Sequence, residues 1–176
     1  KFATPETITN SLPNIEVRLG AIYLLEKLAR EHKELHWPIM EILCAYIREN
    51  AGPAQPPPKE VMEAYAAGQQ RSEEQESLLK KRNAHLKSPR VDVQAALTVI
   101  GRRKPHQLKW EKNHAAETKT TNRIDLSGTN LNKADLRNLE FSLSNFQGTS
   151  LVEASLEDGH LEVADFQNAH IQGANL

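Results

Sequence analysis

Residues 122–176 read NRIDLSGTNLNKADLRNLEFSLSNFQGTSLVEASLEDGHLEVADFQNAHIQGANL. Within them Leu126, Leu131, Leu136, Phe141, Phe146, Leu151, Leu156, Leu161, Phe166, Ile171 and Leu176 place a large apolar side chain at eleven successive fifth positions. A helix repeats its apolar face about every 3.6 residues and a strand every 2, so a period of five belongs to neither. Residues five apart all point inward only if each pentad turns the backbone through a fixed angle and winds the chain round an axis. The position two before each large residue holds Ile124, Thr129, Ala134, Leu139, Ser144, Thr149, Ala154, Gly159, Ala164, Ala169 and Ala174, nine of the eleven small. Small beside large is what close packing inside a narrow coil demands.

The triplets Ala134-Asp135-Leu136, Ala164-Asp165-Phe166 and Ala174-Asn175-Leu176 resemble the A-(D/N)-L-x-x consensus of pentapeptide-repeat proteins. That resemblance implies a right-handed parallel β-helix of square cross-section, with one pentad per side and four per coil. Residues twenty apart then stack. Leu126, Phe146 and Phe166 form one expected interior column, Leu131, Leu151 and Ile171 a second, Leu136, Leu156 and Leu176 a third, and Phe141 with Leu161 the fourth. Leu139, the largest residue at a small position, falls over Gly159. Outside, Lys133 falls over Glu153, Arg137 over Glu157, and Leu143 over Val163; this last pair makes an outward apolar strip and a candidate contact surface.

Ahead of the repeats, residues 15–30 place Ile15, Leu19, Ile22, Leu25 and Leu28 or Ala29 at helical spacing. Gly20 reads there either as a close helix contact or as a tolerated glycine. A second helix is expected from Pro38, with Ile39, Ile42, Leu43, Tyr46 and Ile47 on its apolar face. Residues 51–60, AGPAQPPPKE, carry four prolines and read as a linker or extended arm. Residues 69–90 are dominated by polar and charged side chains and read as disordered or as a solvated helix. A third helix is expected from Val91 to Ile100, with Ser88-Pro89 before it and Gly101 as its stop. Residues 102–121 read as a polar linker, in which Trp110 covers the edge of the first coil. The phrases VRLGAIYLLEKLAREH, HWPIMEILCAYIREN and VDVQAALTVIGRR resemble the segment before the repeats in bacterial, notably cyanobacterial, pentapeptide-repeat proteins, fuller forms of which carry transmembrane helices.

The expected class is therefore α+β: an α-helical module over 1–101, interrupted at about 51–90, a linker over 102–121, and a parallel β-helix of about 2.5 coils over 122–176. Lys1 and Leu176 both read as cut ends of a longer chain.

Chemistry is sparse. Net charge is −1, which argues against a general nucleic-acid binder, although residues 122–176 hold eight acidic side chains against three basic ones. Cys44, the single cysteine, excludes an internal disulfide and suits a reducing compartment. His32 and His36 have the four-residue spacing of helical metal ligands, but Lys33 stands where a zinc protease places Glu, and no third ligand is evident. No phosphate loop, paired-cysteine motif or serine elbow occurs. No catalytic, cofactor-binding or metal residue is assigned. The expected role is that of a non-catalytic protein-interaction or scaffold module with a protein partner and no direct nucleic acid. It would sit in the cytoplasm or on the cytoplasmic face of a membrane, reaching lipid only through segments outside this chain. Association of copies through the solenoid end is a further expectation. The alternatives are a DNA-mimic modulator of a topoisomerase such as gyrase, and a helical sensing module stabilised by the repeats.

Overall fold

The structure, a computed structural model, describes residues 14–68, 70, 72–118 and 122–175. Its regular elements are α1 (Ile15–Glu31), α2 (Lys33–Asn50), α3 (Lys59–Ala66), α4 (Glu73–Ala84), α5 (Val91–Gly101) and α6 (Pro105–Thr118). Asn14 caps α1 by accepting from the Val17 amide, and Ser72 with Gln75 forms a capping box on α4. α1, α2 and α5 pack on one another through Ile22, Ala29, Ile39, Leu43, Ile47 and Leu97.

Asp92 locks these three helices from the first turn of α5. Its fully buried carboxylate accepts from Arg18 of α1 at 3.1 Å, from the Tyr46 hydroxyl of α2 at 2.5 Å, and from Arg90. Burial alone would push this carboxyl up; the hydrogen bonds from Tyr46, Arg90 and Arg18 outweigh it and hold the group at about 2.

Several expectations about the helical part need revision. α2 begins at Lys33, and Pro38 lies inside it. The expected linker after α2 runs into α3, whose buried side chains include Val61 and Ala64, while 69–90 contains α4, which fits the solvated-helix alternative with Leu79 buried. The polar segment 102–121 contains α6, and its Trp110 stacks on His114 at 4.6 Å and meets His36 edge-on. Gly20 makes no close helix contact: a Cβ built on it meets nothing within 4 Å.

The expected α+β class with a parallel β-helix is corrected. Among the described residues the repeats form no strand or sheet, and the regular secondary structure is helical. The repeats do coil, but the ladder between successive coils consists of isolated parallel bridges, 125 to 145, 130 to 150, 135 to 155, 140 to 160, 145 to 165, 150 to 170 and 155 to 175. The physical reason lies in the corners. Residues 128, 133, 138, 143, 148, 153, 158, 163, 168 and 173 all have positive φ, so every fifth residue turns the backbone. One bridging residue fits on each side between corners, too short a run for a strand.

The pentad at 145–149 accounts for all its N–H groups. Asn145 donates to Ile124 O at 2.8 Å in the coil before it, and Phe146 to Asp165 O at 2.8 Å in the coil after. The Gln147 amide donates to the Asn145 side chain at 3.0 Å. Gly148 reaches Gln167 O at 2.9 Å, and Thr149 closes the corner on Phe146 O at 3.0 Å. The acceptor side chain at the bridging position repeats at Asp125, Asn130, Asp135 and Asp165. At these pentads the Asp or Asn before the large residue satisfies an amide that the coil itself leaves over.

The first coil has no coil beneath it, and the helical part takes that place on all four sides. Arg48 of α2 donates to Asp125 O at 2.6 Å. Asn130 N donates to Gly52 O at 3.0 Å, beside an antiparallel bridge from Pro53 to Thr129. The Gln94 side chain of α5 pairs with both the N–H and the carbonyl of Asp135, at 3.0 and 2.6 Å. Glu140 N donates to Gly101 O at 2.6 Å, while Arg103 donates to Glu140 O at 2.9 Å. Each such group, buried without a partner, would cost about 1–3 kcal/mol. The hydrophobic core is accordingly continuous from Ile22 to Leu156.

Candidate interaction site

The interior columns fill from the capped end outward. Leu126, Leu131, Phe141, Phe146 and Leu151 are fully buried, with Leu136 and Leu156 close behind. Leu161 and Phe166 are half-buried and Ile171 is 40% exposed, while Leu176 lies outside the described residues. Phe146 and Phe166 stack with ring centroids 5.1 Å apart and planes 3° from parallel. These side chains are packing groups and present no chemistry.

Leu139 falls over Gly159 as expected, its carbonyl 3.7 Å from a Cβ built there and accepting from His160 N at 2.9 Å, but its side chain does not fill the space above that glycine. The side chain faces α5, where a Cβ built on Gly101 would lie 2.6 Å from the Leu139 Cβ; Gly159 is instead crowded by the Leu156 carbonyl, 2.9 Å from its own built Cβ. Lys133 and Glu153 form the expected ion pair at 3.5 Å. Arg137 turns to Asp135 at 2.7 Å, which holds that carboxyl below its ordinary value.

Leu143 and Val163 are the informative pair. Of the ten positive-φ corners, the other eight are glycine, asparagine, aspartate, glutamate or lysine. Leu143 and Val163 alone put apolar side chains there, at φ 62° and 59° and with 55% and 79% exposure. A left-handed conformation costs a residue with a Cβ roughly 1–2 kcal/mol, and for a β-branched residue such as valine it is uncommon. Both residues line a cleft of about 590 Å³ whose opposite wall is α6, with Leu108, Lys112 and Ala115 facing it and Ile124 at its base.

A buried polar cluster holds that wall in place. Arg103 donates to Ile100 O at the end of α5, to Glu111 of α6 at 2.8 Å, and to Glu140 O of the first coil. The other Glu111 oxygen lies 2.6 Å from His36 Nε2, and Gln107 reaches both Ala29 O and His36 Nδ1. With the Gln107 oxygen accepting from Lys104 N, its amide nitrogen faces His36 Nδ1, so Nδ1 accepts and Nε2 carries the proton given to Glu111. His36 is therefore a structural partner in α2, while His32 caps the end of α1, and the two do not converge. Among the described residues no group of His, Cys, Asp or Glu is arranged to hold a metal ion. Cys44 is buried, and burial pushes its thiol up to about 11, leaving it protonated and unreactive at neutral pH.

The cleft's α6 wall was missed in the sequence because 102–121 looks like a linker. Pro105 in the first turn and the seven-residue step from Leu108 to Ala115 were the available signals.

The corners, the bridging Asp and Asn side chains and the inward columns define one repeating unit, and comparison with known protein families matches it at 122–158 and 144–176, eight copies in all. Residues 122–176 are pentapeptide repeats. No curated protein and no solved structure matches the chain. The pentapeptide repeats thus supply one wall of the cleft, while α6, outside the matched residues, supplies the other. No helix among the described residues is long and apolar enough to cross a membrane.

Proposed function

We propose that this chain is a non-catalytic repeat protein that binds a protein partner through the cleft between α6 and the Leu143–Val163 corner strip. One observation carries the reading. Two apolar side chains stand exposed at backbone positions that penalise them, twenty residues apart and lining the same apolar cleft. Exposure forfeits their burial and the left-handed corner costs conformational energy, so a surface covering them would recover free energy that folding leaves unused. A reducing compartment suits the single buried thiol and is the proposed setting.

The topoisomerase-mimic alternative is weaker, because the acidic outer columns are interrupted by Lys133 and Arg137 and one end of the coil is occupied by helices. A gyrase supercoiling assay separates the two readings. The direct test installs a photo-crosslinking side chain at position 163 and, as a control, at the corner position 168. A discrete protein adduct from 163 and none from 168 supports the reading. Equal adducts or none at either position would count against it, as would turnover of a small molecule that depends on a residue of the cleft.

A further inference from the structure

α1 has a second apolar face. Ile22 and Ala29 point into the core, whereas Val17, Gly20, Ala21 and Leu24 are exposed, Val17 at 63% and Leu24 at 57%, with Leu28 half-buried at the end of the same stripe. Their spacing is i, i+3, i+4, i+7 and i+11, the pattern of a helix face that packs on another helix. Gly20 sits in open space at the centre of this face, so nothing among the described residues requires a glycine there. Glu16 and Lys27, eleven residues or three turns apart, lie on one flank, and both are exposed. Lys27 holds only a loose contact to Glu31, at 3.9 Å.

We propose that this stripe is the seam of a homodimer, with α1 packed antiparallel on α1 of a second copy. The argument is self-complementarity. In the antiparallel register that places Leu24 between Val17 and Ala21 of the second copy, Val17 falls between Leu24 and Leu28. The same register sets Glu16 opposite Lys27, and the two-fold axis makes that pair twice. Apolar interlock and charge pairing thus select one alignment. A parallel alignment would carry the flank of Glu16 and Lys27 to opposite sides of the helix pair, and the charge pair could not form. Gly20 lies near the crossing point, where the missing side chain lets the two backbones approach. Leu35 and Ile42 of α2, exposed at 41% and 54%, offer further apolar surface. A helix of 17 residues is about 25 Å long, so the seam is smaller than the roughly 800 Å² per partner of a standard interface, and affinity in the micromolar range is expected.

Sedimentation velocity on the whole chain from about 1 to 300 μM tests this, with a shift from monomer to dimer mass expected across the series. Leu24→Glu, an exposed change that leaves the core intact, is expected to keep the chain monomeric with unaltered helical circular dichroism. Glu16→Lys and Lys27→Glu are each expected to weaken association about tenfold, and the two together to restore it. A chain that stays monomeric throughout, a dimer that survives Leu24→Glu, or a double reversal no tighter than its single reversals overturns the proposal.

Discussion

Replacing Gly101 with alanine tests how the helical part and the repeats are joined. The added Cβ would lie 2.6 Å from the Leu139 Cβ, 2.9 Å from its Cδ1 and 3.0 Å from its Cγ. Contacts that short force a shift, and overpacking of this kind costs about 1–3 kcal/mol. Alanine returns up to about 1 kcal/mol as the better helix former at the last residue of α5. The net expectation for Gly101→Ala is a loss of about 1–2 kcal/mol, or about 2–8 °C in Tm for a chain of this size. Leu139→Gly removes the obstructing side chain at a position type that glycine already fills one coil later, at 159. Because Leu139 is buried, that change alone is expected to cost about 3–5 kcal/mol. In the Leu139→Gly background, Gly101→Ala should be neutral or slightly stabilising. A double-mutant cycle by urea unfolding therefore reads a coupling of about 1–2 kcal/mol. If Gly101→Ala costs nothing, or costs the same with and without Leu139, the close approach of α5 to the first coil does not govern stability and the reasoning fails.

Four further outcomes are expected. Arg103→Ala removes donors to Ile100 O, Glu111 and Glu140 O from a buried site and should cost about 3–5 kcal/mol, with α6 loosening first and the Trp110 emission shifting before global unfolding. Val163→Asn places at φ 59° a residue type that Asn168 already carries at the same angle, and should stabilise by about 1 kcal/mol in thermal melts while weakening any partner bound in the cleft. Asp92 is held at about 2, so its stabilising share, about 2 kcal/mol, is present above the ordinary carboxyl range and is lost as pH falls from about 4 through 2; Asp92→Asn should flatten stability against pH in that window. Burial, with Arg82 nearby, pushes the His170 imidazole below its ordinary value; the unfolded chain then takes up the proton first, and stability should drop as pH falls from about 7 towards 5, a slope that His170→Gln should reduce.

The five-residue period was enough to align residues twenty apart, because inward-pointing side chains must recur once per side whatever surrounds them. Phe146 over Phe166 and Lys133 over Glu153 follow from counting alone. The same counting overstated the secondary structure. Periodicity reports which side chains face inward, not how many consecutive residues stay extended, and here the left-handed corners leave one bridge per side, so the β-helix expected from the resemblance is not the class observed. The main helices were legible from their 3.6-residue faces; α6 was not, since one side of it packs on a buried Glu111–Arg103–His36 cluster and the usual apolar stripe is thin.

Local pattern thus specified the inward columns, the strip of Leu143 and Val163 and the helix hairpin, all of them set by residues within twenty positions of one another. Tertiary structure alone decided how the coil begins. Arg48, Gln94, Gly101 and Arg103 satisfy backbone groups of residues 37 to 77 positions away, and no repeat or spacing in the chain encodes those pairings. They form because the helical part, in covering the first coil, takes water from its N–H and carbonyl groups and must replace those hydrogen bonds, and only packing brings the end of α2, the face of α5 and the segment before α6 within reach. The same packing places α6 opposite two strained corners and turns an exposed apolar strip into a cleft.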